Sequence, residues 1–293
     1  MISRVTAQAT MRTAQLNLQH SASELAKLQD RATSLKKISK PSDDPIGTAD
    51  SLRIRAEQQQ NQQFARNITD GSGWLTTLDS TLTASTTLMH QIRDLTVQGA
   101  NDGTMSAEAK EAIAVELEGL REELLNRANT NYLGRTIFAG NSDAGVAFQP
   151  DLSYTGTGST VERRIDANTT VQVDVDGRDV FGEGATSVFA VIDSIVSDLR
   201  SGVNVNPRIA ELDTHLNAML GVHGTVGARH AQLLRAEETT MERAGSLEAQ
   251  RSGIEDVDLG EVVLDLKLQE VTYQSALAVT ARVLQPTLMD FLR

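Results

Sequence analysis

The chain has 293 residues, enough for two or three compact units with a sizeable core, and it carries a net charge of -12. It contains no cysteine, which excludes disulfides, thiolate metal sites and cysteine nucleophiles. The acidic balance, without any long cluster of Lys and Arg, argues against nucleic acid as a partner. The lack of an apolar run of about 18 residues argues against a membrane span.

The N-terminal forty residues contain neither glycine nor proline, and their apolar side chains recur every seven residues. One register holds Met11, Leu18, Leu25 and Ala32, and the other holds Ala7, Ala14, Leu28 and Leu35. This repeat is typical of a coiled-coil helix. The first residues show neither the apolar core nor the cleavage pattern of a secretory signal, so we expect no cleaved signal peptide.

The first interruption combines a helix stop with a helix start. It contains a helix-joining motif of five residues: Pro41, Ser42, Asp43, Asp44 and Pro45. A carboxylate can accept the free N–H groups of a helix start, and proline has no N–H to leave unpaired there. We therefore expect Asp43 or Asp44 to cap the next helix, with Pro45 near its first position.

The middle of the chain alternates helical patterns with glycine-containing breaks. A polar helix is predicted over 46–68, an apolar stripe at helical spacing runs from Trp74 to Leu95 and ends at 99–103, and another helix is predicted over 106–129. Helical spacing returns from Val188 to Leu199 and over 209–220, and a long helix is predicted over 227–250. We expect the glycines at 221, 224 and 227 to separate the last two helices.

A small β insertion is predicted between these helical parts, because glycine and threonine rise and the helical periodicity disappears. Val171, Val173 and Val175 alternate with polar residues, and Asp176-Gly177 predicts a hairpin turn ahead of Val180 and Phe181. The stretch 172–183 also has carboxylates at three positions of a calcium loop, but its alternating flanks favour the hairpin.

No other motif points to a metal or to catalysis. His215, His223 and His230 with Glu211 lack the spacing of a metal-binding helix, and we expect solvated or capping histidines. Nucleophile elbows, phosphate-binding glycine loops and dinucleotide fingerprints are absent from the sequence. We therefore expect neither an enzyme nor a cofactor.

The C-terminal end mirrors the N-terminal end, since residues 261–285 again lack glycine and proline. One register holds Leu259, Leu266 and Tyr273, and the other holds Val263, Leu277, Leu284 and Phe291, with polar Glu270 between them. The predicted polar face is acidic, whereas helices that lie on membranes usually carry Lys and Arg, so protein partners fit these ends better.

These patterns predict a mainly α fold, an elongated antiparallel helical bundle or coiled coil of paired N- and C-terminal segments with a small β-rich insertion. The expected domains are a terminal coiled-coil core (1–40 with 254–293), a helical rod (41–135 with 187–253) and the insertion (136–186). The predicted assembly interface consists of Met11, Leu18, Leu25, Leu28, Leu35, Leu259, Val263, Leu266, Tyr273, Leu277, Leu284, Leu288 and Phe291.

Three separated parts of the sequence match one family in order. They are residues 34–45, which end in Lys-Pro-Ser-Asp-Asp-Pro, residues 134–140 (Gly-Arg-Thr-Ile-Phe-Ala-Gly), and the C-terminal segments 252–259, 269–274 and 281–292. Together they resemble the bacterial flagellin superfamily, and within it the FlgL family of hook–filament junction proteins.

The resemblance implies an exported structural component of the bacterial flagellum. Its subunits would associate in a ring, sit on the FlgK junction protein, and present the surface on which flagellin polymerises. Export would use the flagellar type III apparatus and the chaperone FlgN, without a cleaved signal peptide.

Filament flagellin itself is the nearest alternative, although the residues at 40–45 and 289–293 are more like the junction family. A coiled-coil fragment of a sensor is the alternative from another class, but it predicts continuous heptads through the middle of the chain. An enzyme ranks last.

Overall fold

The computed structural model describes the backbone of residues 2–101 and 105–284 and the side chains of 9–101 and 105–282. It is mainly α, as predicted. The helices are α1 (Ile2–Ser34), α2 (Pro45–Gly99), α3 (Ala107–Ala128), α4 (Gly177–Phe181), α5 (Val188–Ser201), α6 (Asn206–Glu255) and α7 (Leu259–Leu284). The short strands are β1 (Asn131–Tyr132), β2 (Arg135–Thr136), β3 (Glu162–Arg164) and β4 (Thr170–Gln172), which pair antiparallel as β1 with β2 and β3 with β4. None of the described helices is both long enough and apolar enough to cross a membrane.

The chain divides into two compact units. The first consists of Met1–Gln59 and Ala244–Arg293, and the second is the continuous segment Gln60–Arg243. Within the first unit, α1 packs along α7. The sequence-based division into three domains stays a prediction.

Two predicted helix breaks do not occur. Residues 46–68 and the apolar stripe from Trp74 form the single helix α2, and α6 continues through the glycines at 221, 224 and 227. A glycine inside a helix costs about 1 kcal/mol. In α6 this cost is outweighed by burial, because Met219, Val226 and Leu233 are completely buried at a spacing of seven residues.

The predicted hairpin turn at Asp176-Gly177 is wrong. The hairpin lies earlier, with Glu162 opposite Gln172 and Arg164 opposite Thr170. Asp176 instead caps α4, because its Oδ1 accepts a hydrogen bond from the Arg178 backbone N–H at 2.9 Å. An aspartate followed by glycine suits a helix start as well as a turn, so the local sequence did not distinguish the two.

The second unit has one hydrophobic core to which the helices and the β-containing segment both contribute. Trp74, Leu78 and Leu117 from the long helices and Val173 from the segment after β4 are at most 1% exposed. Phe138, Phe148, Phe181 and Phe189 pack ring against ring with centroids 5.2–5.8 Å apart. Four of the ten aromatic residues therefore fix the β-containing segment to α5.

At position 140 the backbone approaches the backbone of Ser159 so closely that only glycine fits there. The φ of Gly140 is +61°, and a Cβ there would lie 2.1 Å from the carbonyl oxygen of Ser159. We expect Gly140→Ala to lower the free energy of unfolding of this unit by about 3 kcal/mol, measured by urea denaturation. Gly145→Ala is the matched control, because φ is +76° but the space around it is open, and it should cost only about 1 kcal/mol. Equal losses for the two variants would contradict the steric explanation.

Candidate assembly site

The terminal helices α1 and α7 meet along a seam with coiled-coil spacing. Along each helix, one set of less exposed positions recurs at intervals of four and three residues. On α1 they are Ala14, Leu18, Ser21, Leu25, Leu28 and Ala32, and on α7 they are Val262, Leu266, Gln269, Tyr273, Ala276 and Thr280. The seam is thus built from both predicted registers of α1 and one predicted register of α7.

The second register of α7 lies one residue earlier than the sequence pattern indicated. Val262 is 7% exposed and takes the place expected for Val263, which is 48% exposed. Of the predicted interface residues, Leu18, Leu25, Leu28, Leu266 and Tyr273 are half-buried in the seam.

The remaining predicted interface residues whose side chains the structure describes lie outside the seam. Those exposed in the single chain are Met11, Leu35, Leu259, Val263 and Leu277. The Leu284 side chain, Leu288 and Phe291 lie outside the described residues. Their role in assembly stays a prediction.

A polar pair lies inside the seam. The Gln269 side-chain amide donates hydrogen bonds to the Ser21 carbonyl oxygen at 3.1 Å and to its hydroxyl at 3.2 Å. A polar contact among apolar seam residues is satisfied in only one alignment of the two helices, so this pair fixes their register.

A second apolar stripe runs along α7 on the side away from α1. Leu264, Leu268 and Val271 are 72%, 69% and 61% exposed. Successive helical residues are 100° apart, which places these three side chains almost opposite Val262 and Leu266. We call these three residues the outer stripe. Sequence reasoning missed it, although its spacing of four and three residues is visible in the sequence.

The residues that follow α1 are joined by a short backbone ladder to the end of α6 and to the residues before α7. α1 ends at Ser34, and Leu35 then takes a φ of +58°. The Lys37 N–H donates to the Glu255 carbonyl oxygen at 2.6 Å, and the Val257 N–H donates to the Leu35 carbonyl oxygen at 3.3 Å. The start of α7 is therefore tied to the residues that follow α1.

The side chain of Glu255 forms the centre of this junction. It is only 3% exposed. Its carboxylate accepts two hydrogen bonds from Arg55 at 2.8 Å, one from Arg251 at 2.9 Å and one from Lys36 at 3.0 Å, and also bonds the Ser51 hydroxyl. One buried carboxylate thus holds α2, the end of α6 and the residues after α1.

The surrounding cations change the acidity of this carboxyl group. The guanidinium of Arg55, helped by Ser51, Lys36 and Arg251, holds the pKa of Glu255 well below its usual range despite the opposing effect of burial. Hydrogen bonds to Asp256 and Glu255 raise the pKa of Lys36 in turn. We call Lys36, Ser51, Arg55, Arg251 and Glu255 the Glu255 junction. Sequence reasoning did not single it out, since its members are 219 positions apart at the extremes and only the fold brings them together.

The helix-joining motif connects α1 to α2 through its two aspartates. Asp43 Oδ2 accepts from the Lys40 N–H at 2.9 Å and closes a turn. Asp44 Oδ1 accepts from the Gly47 N–H at 2.9 Å, and α2 begins at Pro45. Of the two expected caps, Asp44 is therefore the one that caps α2, and Pro45 is the first helical residue.

Removing this cap should cost a modest amount of stability. We expect Asp44→Ala to lower the free energy of unfolding of the first unit by about 1 kcal/mol, because the Gly47 N–H loses its acceptor. Amide hydrogen exchange over residues 45–55 of the full chain measures the effect. Asp44→Asn is the control, since its side-chain oxygen still accepts, and it should stay within about 0.5 kcal/mol of the parent chain. Equal protection in the alanine variant would show that the cap contributes nothing.

The three histidines considered as metal ligands have different neighbours. His223 Nε2 lies 2.8 Å from Asp79 Oδ1, His230 Nε2 lies 3.3 Å from the Ser72 hydroxyl, and burial lowers the pKa of His215. Among the described side chains, no group of three His, Cys, Asp or Glu residues is arranged to hold a metal ion.

Comparison with known proteins gives consistent matches. The family model described as the bacterial flagellin N-terminal helical region matches residues 5–143. The chain is 27% identical over 284 residues to flagellar hook-associated protein 3 of Salmonella typhimurium, covering 88% of this chain and 89% of that protein. It is 24% identical over 287 residues to flagellin of Bacillus subtilis, covering 92% of each. A solved structure of a putative flagellar hook-associated protein from Vibrio parahaemolyticus aligns with a TM-score of 0.68 at 17% identity, over 73% of this chain and all of that one, which supports the fold.

Proposed function

This chain is a member of the bacterial flagellin superfamily, and from that premise we propose that it is a hook–filament junction protein. Its relatives are structural proteins of the flagellum and not enzymes, and this chain is likewise a flagellar structural protein. The proposal is that its subunits form a ring between the hook and the filament and present the surface on which flagellin polymerises.

One observation carries the proposal: α7 is apolar on two opposite sides. Its inner side is covered by α1 of the same chain, whereas the outer stripe is 61% to 72% exposed. Exposed contiguous apolar side chains on a helix favour association with another protein surface. A subunit that buries its outer stripe only after assembly remains soluble as a monomer and gains stability in the ring.

The partners proposed for the two ends of the ring are the FlgK junction protein on the hook side and flagellin on the filament side. Before assembly, the export chaperone FlgN would bind the chain, which would leave the cell through the flagellar type III apparatus without a cleaved signal peptide. The name of hook-associated protein 3 supports the hook side of this proposal, and the match to flagellin supports the filament side.

Deletion of the gene tests the proposal. We expect cells with bare hooks that shed flagellin into the medium, seen by electron microscopy and by assaying flagellin in the culture supernatant. Bare hooks without shed flagellin would instead identify this chain as filament flagellin, the alternative favoured by its 24% identity to flagellin of Bacillus subtilis. Normal filaments would overturn both assignments.

A further inference from the structure

A pocket of about 250 Å³ lies in the second unit and is lined by residues of α2, of α6 and of the turn between β3 and β4. Its floor is apolar, because Phe64 and Ile165 line it and are only 7% and 5% exposed. A concave apolar floor favours the apolar part of a ligand. The proposed flagellar function assigns no role to this pocket.

Two buried polar side chains of the pocket wall each keep one atom without a partner. Asn61 is 5% exposed and Thr240 is 8% exposed. The Asn61 side-chain amide donates to the Thr240 carbonyl oxygen at 2.9 Å, but Asn61 Oδ1 and the Thr240 hydroxyl have no hydrogen-bond partner within the described residues. Both atoms retain accessible surface, unlike the fully enclosed side-chain oxygens of Ser85 and Asp174. Since both residues are otherwise buried and line the pocket, these two atoms are available to a ligand there.

The rim of the pocket is positively charged. Arg235 and Arg243 of α6 line the pocket, are exposed, and make no ion pair within the described residues. Asp166 also lines it, but its Oδ1 already accepts a hydrogen bond from the Ala167 N–H at 2.7 Å. The two guanidinium groups outnumber this carboxylate, and guanidinium groups bind carboxylates with charge-assisted hydrogen bonds. The rim therefore favours an anionic group of a ligand.

The three parts of the pocket together describe one class of ligand. The floor takes an apolar side chain, and the rim takes a carboxylate. Between them, Asn61 Oδ1 can accept from an amide N–H, and the Thr240 hydroxyl can donate to an amide oxygen. The last residue of a peptide carries all three groups when its side chain is apolar. We propose that this pocket binds the carboxyl terminus of a peptide that ends in an apolar residue.

Titration of the ¹⁵N-labelled full chain with N-acetylleucine tests the proposal. We expect saturable shifts of the backbone amides of Thr169, Gln232 and Thr239, which line the pocket. N-acetylglycine lacks the apolar side chain and N-acetylleucinamide lacks the carboxylate, so each should bind about tenfold more weakly or worse. Acetyl-Ala-Ala-Leu, a peptide with the same last residue, should bind at least as tightly as N-acetylleucine.

Three outcomes of these titrations would overturn the proposal. The first is the absence of saturable shifts with N-acetylleucine. The second is equal binding of the three acetylated amino acid ligands, which would mean that neither the floor nor the rim selects the ligand. The third is failure of the acetylated tripeptide to bind, which would limit the pocket to small molecules.

Variants of the rim locate the binding. Arg235→Gln combined with Arg243→Gln should weaken binding of N-acetylleucine about tenfold or more, because its carboxylate loses charge-assisted hydrogen bonds. The matched control combines Arg66→Gln with Arg164→Gln. It removes the same charge from two exposed arginines that lie outside the pocket and make no ion pair within the described residues. Unchanged affinity in the first double variant, or an equal loss in the second, would contradict binding in this pocket.

Thr240→Val tests the wall of the pocket without endangering the fold. Valine keeps the shape of the side chain and removes a hydroxyl that has no partner, so the chain should remain folded, as its amide spectrum will show. Binding of N-acetylleucine should weaken about fivefold through the loss of one neutral hydrogen bond. Unchanged affinity in the folded variant would contradict the contact assigned to this hydroxyl.

Discussion

Replacing Glu255 with glutamine should lower the stability of the first unit by about 3 kcal/mol at neutral pH. The substitution keeps the size of the side chain but removes the charge that Arg55, Arg251 and Lys36 share. Their charge-assisted hydrogen bonds weaken together, Arg55 loses its carboxylate partner, and only Asp256 and Glu248 remain to pair with Lys36 and Arg251. Hydrogen exchange of the full chain measures the effect, with expected loss of protection in α1 and α7 and unchanged protection over residues 60–243.

The difference between the parent chain and this variant should depend on pH. The pKa of Glu255 is lower in the folded chain than its ordinary value of 4.5. A lowered pKa stabilises the fold above the unfolded value and loses that effect as the pH falls toward the folded value. The difference should therefore be full at pH 7 and shrink below about pH 4.5.

Glu242→Gln on the exposed side of α6 is the control, because Glu242 makes no ion pair with any described residue, and it should change stability by less than about 0.5 kcal/mol. A pH-independent difference for Glu255→Gln would show that the charge is not what stabilises the junction.

Leu268→Glu should abolish filament formation without unfolding the monomer. Leu268 is 69% exposed in the single chain, so glutamate there costs little before assembly. In an assembly that covers the outer stripe, the same glutamate would be a buried charge without a partner, whose cost is several kcal/mol. Circular dichroism should match that of the parent chain, while swimming and filaments seen by electron microscopy should fall to the level of the gene deletion.

The matched control is Gln274→Glu, which adds the same charge to an exposed position of α7 about a quarter turn away from the outer stripe. Filaments in that variant should remain. Normal filaments with Leu268→Glu would contradict a role of the outer stripe in assembly. Loss in both variants would indicate that any added negative charge on α7 is harmful.

The sequence predicted the structure best in segments where a single hydrophobic periodicity runs from one end to the other. Heptads located α1 and α7 and most of their seam, and the paired aspartates before Pro45 located the start of α2. The same reasoning failed where two rules compete. Gly221 and Gly224 favour a break, yet Met219 and Val226 are completely buried on the same helix, and tertiary packing decided the outcome.

The Glu255 junction could not be predicted for a different reason. Lys36, Arg55 and Glu255 each look like ordinary solvated charges in sequence, because nothing local marks them as partners. Only the fold brings Lys36 and Arg55 close enough to Glu255 for one carboxylate to bond both of them together with Arg251. Similarly, Val262 and Val263 each fit an apolar register of α7. Which of the two is buried depends on how α7 packs against its partner helix.

The pairing of Ser21 with Gln269 also sets an order of events in folding. These residues are 248 positions apart, so the first unit cannot close until nearly the whole chain is available, whereas residues 60–243 form one uninterrupted segment that can condense alone. Contacts at such separation carry the largest loop-closure entropy and form late. If the chain becomes available from its N-terminus first, α1 has no partner helix until α7 has also become available. The interval between the two is the time in which another protein can bind the free helix.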